Sequence, residues 1–565
     1  MFRPESPAAP APVAWSRDLL WLALLFALLF GFRLGSYPLG NPDEGRYAEI
    51  PREMIAAGDW VTPRLNGVNY FEKPPLMYWA TAAALRVLGP GEWSARAPAA
   101  LFALGGVLLT YAAARRLYGR DAGIASALVL GTSLLYFALA HILLLDMAVS
   151  VLMSAALFCF ILGVNEPAGP RRRRLFYGLY LGAACATLTK GLIGVLVTGA
   201  VMFLWLLVFN QWKRLRPFYL PTGLVLFLAI TVPWHLLAAS RNETWAHRYF
   251  VYEHWLRFMT PAASRTAAWW YYIGIVFAGL IPWVGFLAPA LRDHLRGGWA
   301  ARGRNAEAWF LVTWVVFVFL FFTKSASKLP PYILPVFPAL AVLIGAWLAK
   351  VVEAGEPRRL RFGFGVFSFL SGLLAVALSV AVMRPAVFRL DPAQALALRP
   401  AAFAMAAVLV LGGVFAPWLA KVRGSLAALT AVFVTMAAFF AVLQFAAPHI
   451  MRPGTKELAL QVRALAREGD RVMHYHEFFH DFTYYSARTV DLVDFKGELE
   501  LEEDAAARAS GRFIGEAEFR RLWDAPGRIW VVARRRDVKD LLADPAFHYH
   551  LLGQSAGHYL FSNQP

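Results

Sequence analysis

Apolar runs about 20 residues long, the length that spans a hydrocarbon core, follow one another through most of this chain. Thirteen can be marked, centred near residues 28, 107, 131, 154, 182, 199, 229, 279, 315, 342, 373, 409 and 435. With the N-terminus in the cytoplasm, six connecting segments are cytoplasmic: ARRLYGR, PRRRR, WKRLR, RDHLRGGWAARGR, EPRRLR and KVRG. Every one is short and basic. The opposite orientation would export all six, against the Lys and Arg excess of cytoplasmic loops. An odd number of spans then exports the C-terminal segment, where the pattern changes. RVMHYH, TVDLVD and RIWVVARR read as strands, ELALQVRALARE and EAEFRRLW as helices. The expected architecture is a polytopic α-helical membrane protein with about 13 transmembrane helices in residues 1–446. An exported α/β domain follows in residues 447–565.

Composition agrees with the pattern. The chain is 59% hydrophobic and 16% charged, with a mean hydropathy of +0.50, more apolar than a packed soluble core requires. A net charge of +18 would suggest nucleic acid in a soluble protein; here the basic loops account for it and no nucleic-acid partner is expected. The C-terminal segment holds 18 of the 37 acidic residues. Cys159 and Cys185 both lie in apolar segments, which argues against a disulfide framework or a metal cluster. The N-terminal stretch MFRPESPAAPAPVAWSRD is polar and Pro-rich, and the apolar run after it is long enough to remain as a helix.

Charges near the middle of a membrane mark ion paths and transporter sites. Few are found here: Asp146 in HILLLDMAV and Lys190 in TLTKGL fall at exported span ends. Exported residues 37–96 carry Arg46, Arg52, Arg64, Lys73, Arg86 and Arg96; residues 240–268 carry Arg241, Arg248, Arg257 and Arg265. KSASKLPPYILP adds Lys324, Lys328 and Tyr332. Long loops escape the orientation bias, so such bases can be merely tolerated there. Three basic loops on one face favour an anionic lipid ligand instead. Loop one, residues 37–96, has surface-helix features too. Pro51 suits a first helical turn, Ile50, Met54 and Ile55 could share one face, and Tyr78 and Trp79 suit the headgroup belt. A loop packed on the bundle explains the same apolar residues.

Two motifs in loop one carry chemistry, NPDEGRY and YFEKPPLMYW. Asp43 and Glu44 follow Asn41-Pro42, which sets them in a turn or at a helix cap. Glu72-Lys73-Pro74-Pro75 places an acid and a base on a stiff backbone. A carboxylate beside cations at a membrane edge suits glycosyl transfer from a lipid phosphate, whose leaving group Lys or Arg stabilises. The carboxylate can orient or deprotonate the acceptor, or stabilise an oxocarbenium-like sugar. A phosphate acceptor is already largely ionised at neutral pH, which leaves Asp43 an orienting role. No cofactor is required. A divalent metal such as zinc at Glu72 and His254 is the alternative, although no metal-ligand spacing of the HExxH kind is present.

The segment NPDEGRYAEIPREMIAAGDWVTPRLNGVNYFEKPPLMYW resembles the first exported loop of lipid A aminoarabinose transferases. These are polyprenyl-phosphate-dependent, protein-mannosyltransferase-like glycosyltransferases of the GT-C fold. HILLLDMAV, LTKG and SKLPPYILPVFPALA are similar too. The resemblance implies transfer of 4-amino-4-deoxy-L-arabinose from undecaprenyl phosphate to lipid A phosphates, at the periplasmic side of the bacterial inner membrane. It also implies resistance to polymyxin and cationic peptides. It makes Asp43, Asp146 and Glu72 the acids of the site, with Glu44, Arg46 and Tyr47 around Asp43. Lys73 would lie near the donor phosphate and Tyr332 would be a wall residue or phosphate contact. Arg257 and Lys328 join them on charge and position. The partners expected are the lipid donor, lipid A and membrane lipids, with the chain a monomer. Transfer to protein or another glycan is the alternative, and a lipid-linked sugar transporter or flippase the reading from another class.

Overall fold

The computed structural model describes residues 12–256, 267–451, 454–495, 497, 507 and 509–565, with 12–14 and 252–256 as backbone alone. Its first ten α-helices are α1 (Pro12–Gly31), α2 (Asp43–Ala57), α3 (Leu76–Leu88), α4 (Glu92–Tyr118), α5 (Arg120–Gly131), α6 (Leu134–Ala140), α7 (Leu145–Asn165), α8 (Pro170–Lys190), α9 (Ile193–Val208) and α10 (Leu220–Arg241). Each apolar centre expected from the sequence lies in a helix. Among the described residues, eight helices are long and apolar enough to cross a bilayer, or ten if each bent pair is one span. The pairs are α5 with α6, bent by 66°, and Tyr271–Gly279 with Val284–His294, bent by 101°. The chain is a multi-pass membrane protein.

Helices satisfy their own backbone groups, which hydrocarbon cannot do for them. α7 and Pro330–Glu353 form the buried centre, while Pro357–Met383 turns Phe369 and Val376 outward. At one end of the bundle, Asp18 takes Arg115 at 2.7 Å and Arg120 at 2.6 Å. At that end too, Asp293 takes Lys350 at 2.8 Å and Arg359 at 2.5 Å. Arg115 and Arg120 belong to the short basic loop ARRLYGR and Arg359 to EPRRLR, so these loops meet at one end of the bundle. Loop one leaves from the opposite end of α4.

The last long helix, Ser425–Ile450, runs slightly past the expected boundary at 446. Beyond it a six-stranded sheet has the order β5-β4-β3-β6-β8-β7. Its strands are β3 (Arg471–Tyr475), β4 (Asp491–Val493), β5 (Phe513–Ile514), β6 (Ile529–Arg534), β7 (His550–Ser555) and β8 (His558–Ser562). β5, β4, β3 and β6 are parallel, and the β7–β8 hairpin closes one edge antiparallel. Side chains alternate across the sheet. Met473, Val531, Ala533 and Phe561 face a core with Phe519 and Trp523, whereas Val472, Trp530, Val532 and Leu560 face loop one.

That second face corrects the expectation of a lipid-bound helix. α2 starts at Asp43 and carries Pro51 within it, and its Ile50 and Met54 are buried among Phe478, Phe482 and Val490. Its apolar side meets protein. Tyr78 on α3 is fully buried, and Trp79 donates its indole N–H to the Trp60 carbonyl at 2.9 Å. A small hairpin, β1 (Arg64–Leu65) and β2 (Val68–Asn69), turns through Asn66 and Gly67, both at positive φ, the geometry of a type I′ turn. The Asn66 amide donates to the Val490 carbonyl at 2.8 Å and accepts from the Val490 N–H at 2.7 Å. Loop one and the C-terminal domain are therefore bolted together.

Candidate active site

The DEGRY motif opens α2, and its two acids have different fates. Glu44 is buried: Oε1 accepts from Arg96 Nε at 2.7 Å and Leu143 N at 2.9 Å. Its Oε2 accepts from Arg96 Nη2 and from Gly40 N, both at 2.8 Å. Both oxygens are fully used, so Glu44 is a brace and not the substrate contact expected of it. Arg96, one of the bases assigned to phosphate, is completely buried in the same brace. Asp43, by contrast, is half-buried and makes no hydrogen bond or ion pair with the described residues. It sits in the first turn of α2, where the helix dipole favours an anion. Only Asp43 of this pair is chemically free.

Gly45 explains the position of the motif. A Cβ there would lie 2.5 Å from the Asp481 nitrogen, so α2 packs backbone to backbone on helix His480–Ser486. Arg46, also expected to touch substrate, is buried and donates to the Tyr70 hydroxyl at 3.0 Å, with Glu72 at 4.0 Å. It works through Glu72. Tyr47 is buried, its ring 6.2 Å from that of Tyr78; burial, with the phenol of Tyr78 and then the charge of Asp43 adding to it, holds its pKa well above the ordinary value. Tyr47 is thus a neutral wall beside Asp43. Lys73 lies 3.9 Å from Glu72 Oε2 and donates to the Glu72 carbonyl at 3.0 Å, and it remains partly accessible.

A second group comes from the bundle. Asp146 is in the first turn of α7 and Lys190 ends α8, two termini whose dipoles suit those charges. Lys190 Nζ is 2.5 Å from Asp146 Oδ1 and 4.4 Å above the Tyr332 ring. Tyr332 stands on the 3₁₀ turn Pro330–Val336, which Tyr272 ties down by donating to the Leu329 carbonyl at 3.2 Å. Lys328 donates to the Ser325 carbonyl at 2.8 Å and so caps the preceding helix. Phe71, next to Glu72, shares an apolar cluster with Leu188, two residues before Lys190. The two groups therefore lie at one edge. Lys190 is the site residue that sequence reasoning left without a role, although LTKG marked it; its pairing with Asp146 bridges two helices.

Arg257 lies outside the described residues, and so does the side chain of His254. Among the described residues no group of three or more His, Cys, Asp or Glu side chains could hold a metal ion. Glu72 faces Arg46 and Lys73, cations that compete with a metal for its carboxylate.

A family model for dolichyl-phosphate-mannose-protein mannosyltransferase matches residues 72–236. The undecaprenyl phosphate-alpha-4-amino-4-deoxy-L-arabinose arabinosyl transferase of Edwardsiella ictaluri is 34% identical over 64% of this chain and 65% of its own length. That of Pectobacterium carotovorum is 34% identical over 65% of this chain and 66% of its own length. The chain thus spans about 65% of these curated relatives. The crystal structure of ArnT from Cupriavidus metallidurans bound to undecaprenyl phosphate superposes with a TM-score of 0.86 at 29% identity, covering 98% of each chain. A many-helix bundle with acids and cations at one edge, capped by an α/β domain, is the GT-C fold. Within that class, the chain is similar to the undecaprenyl phosphate-aminoarabinose arabinosyl transferases.

Proposed function

We propose that this protein transfers 4-amino-4-deoxy-L-arabinose from undecaprenyl phosphate to phosphate groups of lipid A, at the periplasmic face of the bacterial inner membrane. The observation that carries the reading is the division of labour at one edge. A free carboxylate, Asp43, stands on the loop that presents Lys73, and the Asp146–Lys190–Tyr332 group lies at the same level. An ionised lipid A phosphate oxygen attacks the anomeric carbon as the bond from that carbon to the donor phosphate breaks. Lys73 and Lys190 stabilise the charge that develops on the departing undecaprenyl phosphate. The acceptor has no proton to give up, so Asp43 orients the sugar and stabilises its oxocarbenium-like character. The 29% identity to an undecaprenyl phosphate-bound relative over 98% of the chain supports this donor.

The test uses a strain that makes the donor but lacks its own transferase, with lipid A read by mass spectrometry. The wild-type chain should add aminoarabinose and raise polymyxin survival, and Lys73→Ala should not. Unmodified lipid A beside a folded wild-type protein would refute the assignment. The sugar appearing on protein instead would move the acceptor and keep the chemistry.

A further inference from the structure

Among the described residues the Asp43 carboxylate has no hydrogen-bond or ion-pair partner, so the backbone of its turn sets where it points. Two contacts with the C-terminal domain bracket that turn. Two residues before Asp43, Asn41 Oδ1 accepts from the His480 N–H at 3.1 Å. Two residues after it, Gly45 lies on the peptide that follows: a Cβ there would be 2.7 Å from the His480 carbonyl carbon and 2.5 Å from Asp481 N. Between these contacts the turn is closed by Gly45 N donating to the Gly40 carbonyl at 3.1 Å and Arg46 N donating to the Pro42 carbonyl at 3.0 Å.

The surface that bears on the turn is itself held. Asp481 is completely buried and its Oδ2 accepts from Thr455 N at 2.6 Å, while the Thr483 hydroxyl donates to the His480 carbonyl at 2.9 Å. The His480 ring is buried, 4.3 Å from that of Phe478. Burial, and then the charge of Arg46, hold its pKa well below the ordinary value, so the imidazole is neutral beside α2. Asn41, in contrast, is exposed. Substitutions at exposed positions seldom change stability much, whereas a displacement of about 1 Å at a reacting group can cost about a hundredfold in rate. The Asn41 contact therefore serves geometry more than folding.

We infer that Asn41 and Gly45 are positioning residues for the transfer, through which the His480–Asp481 peptide of the C-terminal domain aims Asp43. The role of Asp43 in transfer rests on the proposed function; the hold on its turn rests on the two contacts. The C-terminal domain thereby takes part in the chemistry without placing a residue at the reacting atoms. Gly45 sets the distance, since restoring ordinary van der Waals contact for a Cβ there moves the turn off the domain by about 1 Å. Asn41 sets the direction in which the turn enters α2.

The test compares full-length Asn41→Ala, Asn41→Asp, Gly45→Ala, Asp43→Asn and Asn41→Ala/Asp43→Asn in nanodiscs, by transfer kinetics and by hydrogen exchange over residues 40–46. Asn41→Ala should lower kcat about tenfold or more with the donor KM unchanged, and Asn41→Asp, which keeps an acceptor oxygen at the same reach, should recover most of it. In the Asp43→Asn background, Asn41→Ala should cost less than about twofold of the residual rate, because no carboxylate is left to aim. Gly45→Ala should lose about a hundredfold; should it fail to fold, the exposed Asn41 still decides. The Gly45 and Arg46 amides should exchange faster in Asn41→Ala than in wild type. Wild-type kcat in Asn41→Ala, a loss confined to KM, equal losses in Asn41→Ala and Asn41→Asp, or an undiminished loss in the Asp43→Asn background would each overturn the inference. A wild-type chain that transfers no sugar would sink the proposed function, while faster exchange in Asn41→Ala would still uphold the hold on the turn. Unchanged exchange there would overturn the inference even if the wild type transfers the sugar.

Discussion

Replacing Arg96 with Met tests whether the acid beside Asp43 is architecture. Arg96 donates to Glu44 at 2.7 and 2.8 Å, to the Leu34 and Tyr37 carbonyls at 3.0 and 2.9 Å, and to the Pro38 carbonyl at 2.9 Å. Its guanidinium also covers the Tyr37 ring at 3.9 Å. Methionine fills a similar volume without the charge, so Glu44 remains a buried carboxylate held by two backbone N–H groups alone. Breaking a buried pair on one side costs about 3–5 kcal/mol, a large share of the roughly 5–15 kcal/mol typical of a folded domain. Glu44→Gln/Arg96→Met removes the stranded charge and should recover about 2 kcal/mol or more, a coupling expected of direct partners. Unfolding titrations in detergent micelles of the wild type, both single variants and the double variant give the cycle. Activity per folded molecule of Glu44→Gln should stay within a few-fold of wild type. An Arg96→Met variant within about 1 kcal/mol of wild type, or no coupling, would refute the brace.

Asp43→Asn should abolish most transfer while costing no more than the roughly 0.3–1 kcal/mol of its helix-dipole interaction, because this carboxylate has no described hydrogen-bond or ion-pair partner to lose; a strongly destabilised but active variant would reverse the assignment of the two acids. Lys190→Met should raise the KM for the donor about tenfold or more and leave Asp146 without its counter-ion, while Lys190→Arg restores part of the affinity; an unchanged donor KM would remove Lys190 from the site. Glu53, held by Gly67 N at 3.0 Å, has its pKa raised from the usual 4.5 to about 7 by burial and then by the charge of Glu49. The folded state binds that proton more tightly than the unfolded state, so the contribution to stability is full below the unfolded value and is lost as pH rises through about 7. Glu53→Gln should therefore gain up to about 3 kcal/mol relative to wild type at pH 8 and nothing at pH 4; parallel stability-pH curves would refute it.

The limits of the sequence follow from what each signal measures. Hydropathy reports whether a segment tolerates hydrocarbon, so the helix centres and the strands RVMHY and IWVVAR were legible in advance. Periodicity reports that one face of a helix is covered, without saying by what. Ile50 and Met54 were consistent with lipid, yet they meet Phe482 and Val490, residues more than 400 positions away. Charge type has the same blindness. Glu44 and Arg96, 52 positions apart, carry the residue types of a phosphate site and are spent on each other. Lys190 and Asp146, 44 positions apart, were each placed at a span end, and only their convergence beside Tyr332 makes a site. What separates Asp43 from Glu44 is the supply of donors: Arg96, Gly40 and Leu143 reach one carboxylate, and among the described residues none reaches the other. In a motif with two adjacent acids, the one the fold leaves unsatisfied is the one available to a substrate.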